Sequence, residues 1–430
     1  MRAKFEACPP RTGESAGNCF TDAWFNAVAQ NIFVVCKTKM AAAITRRTLV
    51  GFNTGAKTNI LVEENIIKLA KNPQTFPQLI QKIKNPKTWN LKENTEMKFN
   101  AIVGNPPYQQ SDGGAQASAS PVYQHFVRLS KALGPEYISL IMPARWYSGG
   151  KGLDDFREEM LNDKHIRILV DYINPQTLFP NVDVKGGICY ILWDESNESP
   201  CSVFLHNFEE VRRSIRFLKV DDIDIHIRDD RMLSVLKKVR IPKDFKPFSG
   251  IVSAMKPYGL RGDFFKNPGK YGLPPVRAEK QIGDISIHGL GEKNKRVIRY
   301  IPKDYPLPKK AHWDKHKIFV TRNYGCGEIG EIPATPVLAT PGEICTETFV
   351  QIAPFETKEE RDNCYSYLKT KFFRFLVGIR KQDQGAGSDV YRFVPVQDFS
   401  KPWTDAELYE KYKLTKDEIA FIESMIRPME

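Results

Sequence analysis

The sequence predicts an α/β fold built on a mostly parallel sheet, followed by an α+β unit and a helical carboxyl end, and three observations lead there. Between residues 97 and 193, short apolar runs alternate with helical periodicity: Phe99 to Val103, a helix beginning at Pro121 and carrying Val122, Phe126 and Leu129, then Tyr137 to Met142, Leu153 to Leu161, Ile166 to Asp171 and Gly187 to Trp193. Strands separated by helices of this length favour parallel pairing with helices packed on the sheet, and the last two runs are expected to pair as an antiparallel hairpin. After residue 245 prolines and glycines become frequent and apolar runs short, with basic and aromatic residues alternating in Met255 to Arg261 and Tyr300 to Trp313. Helical signals return near the end. Lys358 to Ile379 reads as one amphipathic helix, and Thr404 with Glu407 and Thr415 with Glu418 read as capping boxes that open two more.

Ahead of residue 97 the pattern is weaker. Residues 1–57 contain Pro9-Pro10 and short polar stretches without sustained periodicity, so an irregular segment is expected there. A helix is expected next, from Ile60, Leu61, Ile66, Ile67 and Leu69, because Glu63 and Glu64 stand early and Lys68 and Lys71 late. A second apolar-periodic run covers Phe76 to Ile83. The expected organisation is therefore 1–57 irregular, 58–200 as the first α/β domain, 201–244 as a charged connector, 245–350 as a basic domain, and 351–430 as the helical end.

A chain of 430 residues with 41% apolar content can build more than one core. It contains no run of eighteen apolar residues, which excludes a membrane-spanning helix, and a cytoplasmic protein is expected. The eight cysteines form no Cys-x-x-Cys pair, so neither a zinc site nor a disulfide framework is indicated. His312 and His316 lack the glutamate of a zinc protease motif, and no metal is expected. Between Arg231 and Val320 stand 21 Lys plus Arg against 7 Asp plus Glu, a surplus larger than the net charge of +12, which leaves the rest slightly acidic. A concentrated basic segment points to a polyanion partner, because each phosphate contact releases condensed counterions.

The motif with chemical content is Asn105-Pro106-Pro107-Tyr108, which ends the apolar run at Phe99 to Val103. The carboxyl end of a strand is where α/β folds place ligands. Asn105 brings a carbonyl acceptor, the prolines stiffen the turn, and Tyr108 brings a flat face. An amine conjugated to a purine is a poor nucleophile; acceptors at Asn105 Oδ1 and the Pro106 carbonyl would draw its hydrogens out of plane and localise its lone pair. A base inside a duplex reaches such a pocket only when flipped out, and Tyr108 would then stack on it.

The segment from Met97 to about Trp193 resembles the second half of the N6-adenine DNA methyltransferase domain of restriction-modification systems, in the group whose motif is Asn-Pro-Pro-Tyr. Ile138 to Pro143 resembles the next strand of that fold and Lys185 to Trp193 the later hairpin strand, and the part from about Phe349 resembles the same group. The resemblance implies a Rossmann-like methyltransferase sheet, S-adenosylmethionine as methyl donor, double-stranded DNA with a flipped adenine as substrate, and an associated restriction endonuclease or specificity subunit as partner. It implies that residues 245–350 are a target-recognition domain by position and composition, that Asn105, Pro106, Pro107 and Tyr108 are the catalytic residues, and that Tyr190 is a second wall for the base. It departs from the pattern at Asn100, where an acidic residue is common, and in the donor loop. The best candidate for that loop is Thr48 to Gly55, read as an apolar strand followed by Gly51 and Gly55. A non-catalytic recognition subunit, or a remnant without the donor half, is the alternative reading.

Overall fold

The computed structural model describes residues 16–92, 95–110, 120–180, 184, 186–207, 210–241, 244–292, 295–325, 327, 329–381, 384–427 and 429. From residue 16 the chain is regular, contrary to the irregular segment expected up to 57. Helix α1 (Ala16–Asn31) leads into β1 (Phe33–Cys36) and α2 (Lys39–Val50). The hydroxyl of Thr38 caps α2 by accepting from the Ala41 N–H at 3.1 Å. Strand β2 (Asn59–Val62) then pairs in parallel with β1, Phe33 opposite Asn59 and Cys36 opposite Val62. This corrects the helix expected from Ile60. The β-branched Ile60 and Val62 take the extended form because β1 offers a partner, and the helix, α3 (Ile66–Lys71), starts only after Asn65. Helix α4 (Phe76–Lys84) stands where the periodicity places it.

Strand β3 (Ala101–Gly104) opens the larger sheet. A two-residue ladder, β4 (Gln109–Gln110) with β5 (Ser120–Pro121), precedes α5 (Tyr123–Ala132), β6 (Tyr137–Pro143), α6 (Asp154–Asn162), β7 (Ile166–Tyr172) and β8 (Ile188–Asp194). Two further strands follow, β9 (Cys201–Asn207) and β10 (Glu210–Arg216), and the six-stranded order is β10-β9-β7-β8-β6-β3. Pairing is parallel for β3 with β6 and for β7 with β9, and antiparallel elsewhere, so β8 and β10 run against the other four. The fold is α/β with a mixed sheet, and the expected β7–β8 antiparallel pair is present. The connector expected over 201–244 is not a connector. Residues 201–216 extend the sheet, and α7 (Asp230–Arg240) packs in a different core, with Val235 and Leu236 buried among Phe375, Leu408 and Ile422.

The stretch between them is an extended strap of alternating residues. Ile223, Ile225 and Ile227 are buried in the carboxyl-terminal core. Its even residues turn elsewhere. His226 lies against the Trp146 and Tyr147 rings, Arg228 reaches Asp171 of β7, and Asp224 is held by Arg380 Nη1 at 2.6 Å and Arg392 Nη1 at 3.0 Å.

Residues 245–350 hold strands, and among those described only 3-10 turns in place of the helices an α+β unit would have. β11 (Ile285–Leu290), β12 (Arg296–Ile301) and β15 (Glu343–Cys345) form one sheet, and β13 (His316–Thr321), β14 (Val337–Ala339) and β16 (Phe349–Phe355) another. Beyond them, the single helix expected over 358–379 is two, α8 (Lys358–Lys369) and α9 (Lys371–Arg380). Thr370 divides them: its extended backbone ends the first, and its hydroxyl caps the second through the Phe373 N–H at 3.1 Å. Helices α10 (Asp405–Lys411) and α11 (Lys416–Met425) carry the two expected capping boxes, and a third, Thr357 with Glu360, opens α8.

Candidate functional site

The tetrad sits at the carboxyl end of β3, where the strand leaves its pairing with β6 at Gly104 opposite Leu140. Asn105 and Pro107 are exposed, Pro106 is buried and Tyr108 half-buried. An exposed amide beside a buried proline suits a group that receives a ligand from solvent. The carbonyl of Tyr108 accepts the Val122 N–H at 3.1 Å, which ties the turn to the start of α5. Burial raises the Tyr108 hydroxyl above the usual phenol range, with the Cys189 thiol acting the same way and Asn105 opposing. Its ring is therefore presented by a neutral phenol.

Behind the tetrad lies a buried polar cluster that the sequence reading missed. Cys189, Asp171 and Met142 stand opposite one another on β8, β7 and β6, and all three are fully buried. The Asp171 carboxylate faces one cation, Arg228 Nε at 3.1 Å, in an ion pair too poorly aligned to satisfy either oxygen as a hydrogen bond. Burial pushes the Asp171 pKa up to about 6, with Arg228 and Tyr147 pulling it back, and burial drives the Cys189 thiol up to about 12. The Tyr123 and Tyr147 hydroxyls and both His226 ring nitrogens are buried and make no well-aligned hydrogen bond among the described residues. His226 is consequently held well below its usual value, chiefly by burial, and stays neutral. The signal in the sequence is Asp171 itself, a carboxylate closing an apolar strand.

Other expected residues fall elsewhere. Gly51 does not follow a strand: it is the C-cap of α2, with φ of 59° and its N–H on the Arg47 carbonyl, and both it and Gly55 are exposed. The strand expected at Thr48 to Val50 is the last turn of that helix, built by the run of alanines ahead of it. These residues do not form a turn that fits an S-adenosylmethionine. Tyr190 neighbours Tyr172, whose ring stacks on His206 at 4.2 Å, on the sheet face opposite Cys189 and Asp171, so it is not brought to the Tyr108 side. Asn100 has a structural role: its Nδ2 donates to Glu136 Oε1 at 2.8 Å, where an acidic residue would repel.

The basic segment is only partly a surface. Lys317 is fully buried, its ammonium donating to the Trp313, Lys315 and Thr340 carbonyls at 3.0, 2.6 and 3.2 Å, and burial lowers its pKa to about 8. Arg277 is engaged by Asp284 at 2.7 Å. Lys280, Lys295, Lys303, Lys309 and Lys310 are exposed and have no ion pair among the described residues. The described residues contain no group of acidic, histidine or cysteine side chains placed to hold a metal, and no helix long and apolar enough to cross a membrane.

Comparison with known proteins bears on the same region. Residues 30–179 match the model of the Eco57I restriction-modification methylase. That match contains the tetrad. An uncharacterized adenine-specific methylase of Mycoplasma pneumoniae is 34% identical over 103 residues, a match covering 23% of this chain and 24% of that protein. The chain thus aligns with about a quarter of the curated relative's length. Among solved structures, the type IIG restriction endonuclease BpuSI is similar with a TM-score of 0.37 and 12% identity, over 93% of this chain and 57% of that one. A nuclease-deletion mutant of the type ISP restriction-modification enzyme LlaGI, in complex with a DNA substrate mimic, gives 0.43 and 10%, over 92% and 47%. At such scores the architecture is read from this chain's own strands.

Proposed function

We propose that the chain carries the adenine-binding half of a site-specific DNA methyltransferase of a restriction-modification system, an enzyme that moves the methyl group of S-adenosylmethionine to adenine N6. The observation that carries the reading is Asn105 to Tyr108 at the carboxyl end of a strand in the six-stranded mixed sheet, inside the segment that matches the methylase model. Asn105 Oδ1 and the Pro106 carbonyl accept the two hydrogens of the adenine amine and turn its lone pair out of the ring. Tyr108 stacks on the flipped base, an interaction worth about 1–3 kcal/mol. The exposed lysines of residues 245–350, the proposed recognition domain, hold phosphates, which fixes register without reading sequence. An associated endonuclease or specificity subunit and a cytoplasmic setting belong to the same proposal.

Because Gly51 and Gly55 do not fit the donor, the second reading stands beside the first: a recognition subunit or remnant that binds and flips adenine without transferring to it. Incubating the full chain with labelled S-adenosylmethionine and an adenine-containing duplex separates them. Label in DNA that disappears in Asn105→Ala supports the enzyme. Salt-sensitive duplex binding with no label transfer supports the second reading, and the absence of duplex binding sinks both.

A further inference from the structure

A buried cation in the carboxyl-terminal helices has no counter-charge in contact. Arg374 stands on α9 and is 5% exposed. Its Nη2 donates to the Arg427 carbonyl at 2.7 Å, while the buried Nε and Nη1 have no acceptor among the described residues. Burial lowers the Arg374 pKa, with Asp405 and Tyr324 opposing. The Asp405 oxygens, however, already accept the Lys371 and Phe372 N–H groups at 3.0 and 2.8 Å. A guanidinium keeps its charge in proteins even so, and a buried ion without a partner is costly.

Arg374 lines a cavity of about 30 Å³ between α8, α9 and the loop that runs from β13 to β14. Tyr324, Glu331 and Pro333 border it from the loop, and Leu368, Phe373 and Val377 from the helices. The loop lies close on α9, where a Cβ at Gly378 would stand 3.1 Å from the Ile329 side chain. Charge around the cavity does not balance. Lys381 is matched by Glu331, whose carboxylate also accepts the Gly327 N–H at 2.9 Å. Lys369, its ammonium 5.8 Å from the Tyr365 ring centroid, adds a second cation beside Arg374. The surplus is positive, and most of the remaining lining is aromatic or aliphatic.

We propose that this cavity binds a short-chain monocarboxylate on the Arg374 guanidinium. The acid's two oxygens accept charge-assisted hydrogen bonds from the planar fork of donors, and its alkyl end meets the apolar lining. A sulfate or phosphate would bring further oxygens to walls that hold few donors for them, and burying an oxygen without a donor is costly. The size agrees, because about 30 Å³ admits a group of only a few atoms. Bound there, the acid ties the β13–β14 loop to α9. The site shares no residue with the tetrad and does not rest on the methyltransferase reading.

The test is thermal melting of the full chain in sodium acetate, against sodium chloride and against acetamide at the same ionic strength. A ligand that binds only the folded chain multiplies the folding constant about elevenfold at ten times Kd. The Tm should therefore climb with the logarithm of acetate concentration, by roughly 3 °C at that point. Acetamide has the size without the charge and chloride the charge without the planar oxygens, so neither should raise it. In ¹H–¹⁵N spectra of arginine-labelled chain, acetate should move the Arg374 guanidinium signal. Arg374→Met should abolish the response, and Arg374→Lys, which keeps the charge and loses the fork, should weaken acetate at least tenfold. A Tm that ignores acetate, or rises equally with acetamide or chloride, overturns the proposal. So does a response that survives in Arg374→Met, or a guanidinium signal that stays in place, which would assign the cavity to water or to a carboxylate of the chain itself. If Arg374→Met does not fold, Arg374→Lys and the contrast of acetate with acetamide decide. Neither DNA binding nor methyl transfer is read, so this result and that of the functional test fail separately.

Discussion

Replacing Arg228 by methionine should destabilise the protein in a way that depends steeply on pH. Asp171 is fully buried, and with Arg228 beside it its pKa rises from 3.8 to about 6. A carboxyl raised on folding costs nothing below its unfolded value and its full penalty above its folded one, so stability falls as pH rises through about 4 to 6. A rise of that size corresponds to about 3 kcal/mol at pH 8. Without the cation only Tyr147 opposes burial, the carboxyl rises further, and the penalty at pH 8 grows by roughly 2 kcal/mol. At pH 5 the folded carboxyl is protonated with or without Arg228, and this increment vanishes. Arg228 also donates to the Gly186 carbonyl and lies 5.0 Å from the Tyr147 ring centroid. Removing those two interactions adds about 1 kcal/mol at any pH. Urea unfolding followed by tryptophan fluorescence should then show Arg228→Met less stable by about 3 kcal/mol at pH 8 and about 1 kcal/mol at pH 5. Adding Asp171→Asn should remove the pH dependence. An equal loss at both pH values would refute the assignment of the charge to Asp171.

Tyr108→Ala should weaken binding to a duplex whose target adenine is mismatched, by the roughly 1–3 kcal/mol that a base–aromatic stack supplies, while the salt dependence stays unchanged in fluorescence anisotropy. Replacing Lys303, Lys309 and Lys310 by glutamine should do the reverse, flattening the slope of log K against log salt by about 0.9 for each phosphate no longer neutralised. Thr357→Ala removes the hydroxyl half of the α8 capping box and should lower the urea-derived stability by about 1 kcal/mol. A loss no larger than that of an exposed mid-helix substitution such as Lys369→Ala would show that the box is idle.

What is legible in the sequence is what is decided locally. The tetrad announces itself because four adjacent residues do its chemistry, and the capping boxes do so because their two halves stand three residues apart. The misreadings share a different cause. Ile60 to Val62 has a helix-like neighbourhood, and only β1, more than twenty residues earlier, makes it a strand. Gly51 reads as a loop glycine after an apolar strand, whereas its positive φ serves to stop a helix. β10 carries Glu210, Arg212, Arg213 and Arg216 within seven residues, and that charge makes the stretch pass for a linker. Arg228 and Asp171 stand 57 positions apart, and no spacing rule joins them.

The strap at residues 223–228 bears on how such a protein is recombined. Its isoleucines belong to one core while His226 and Arg228 belong to the other, so the border between the two runs along the middle of a single peptide segment. A chimera joined at residue 244, where the sequence places a domain boundary, would pair an inherited strap and α7 with a foreign carboxyl-terminal helix set. Asp224 would then face whatever replaces Arg380, and Lys238 of α7 whatever replaces Glu418 of α11. A junction behind β10 keeps the strap, α7 and the carboxyl-terminal helices together, and it calls for a recipient that keeps Asp171 to receive Arg228 and Glu158 to receive Lys219.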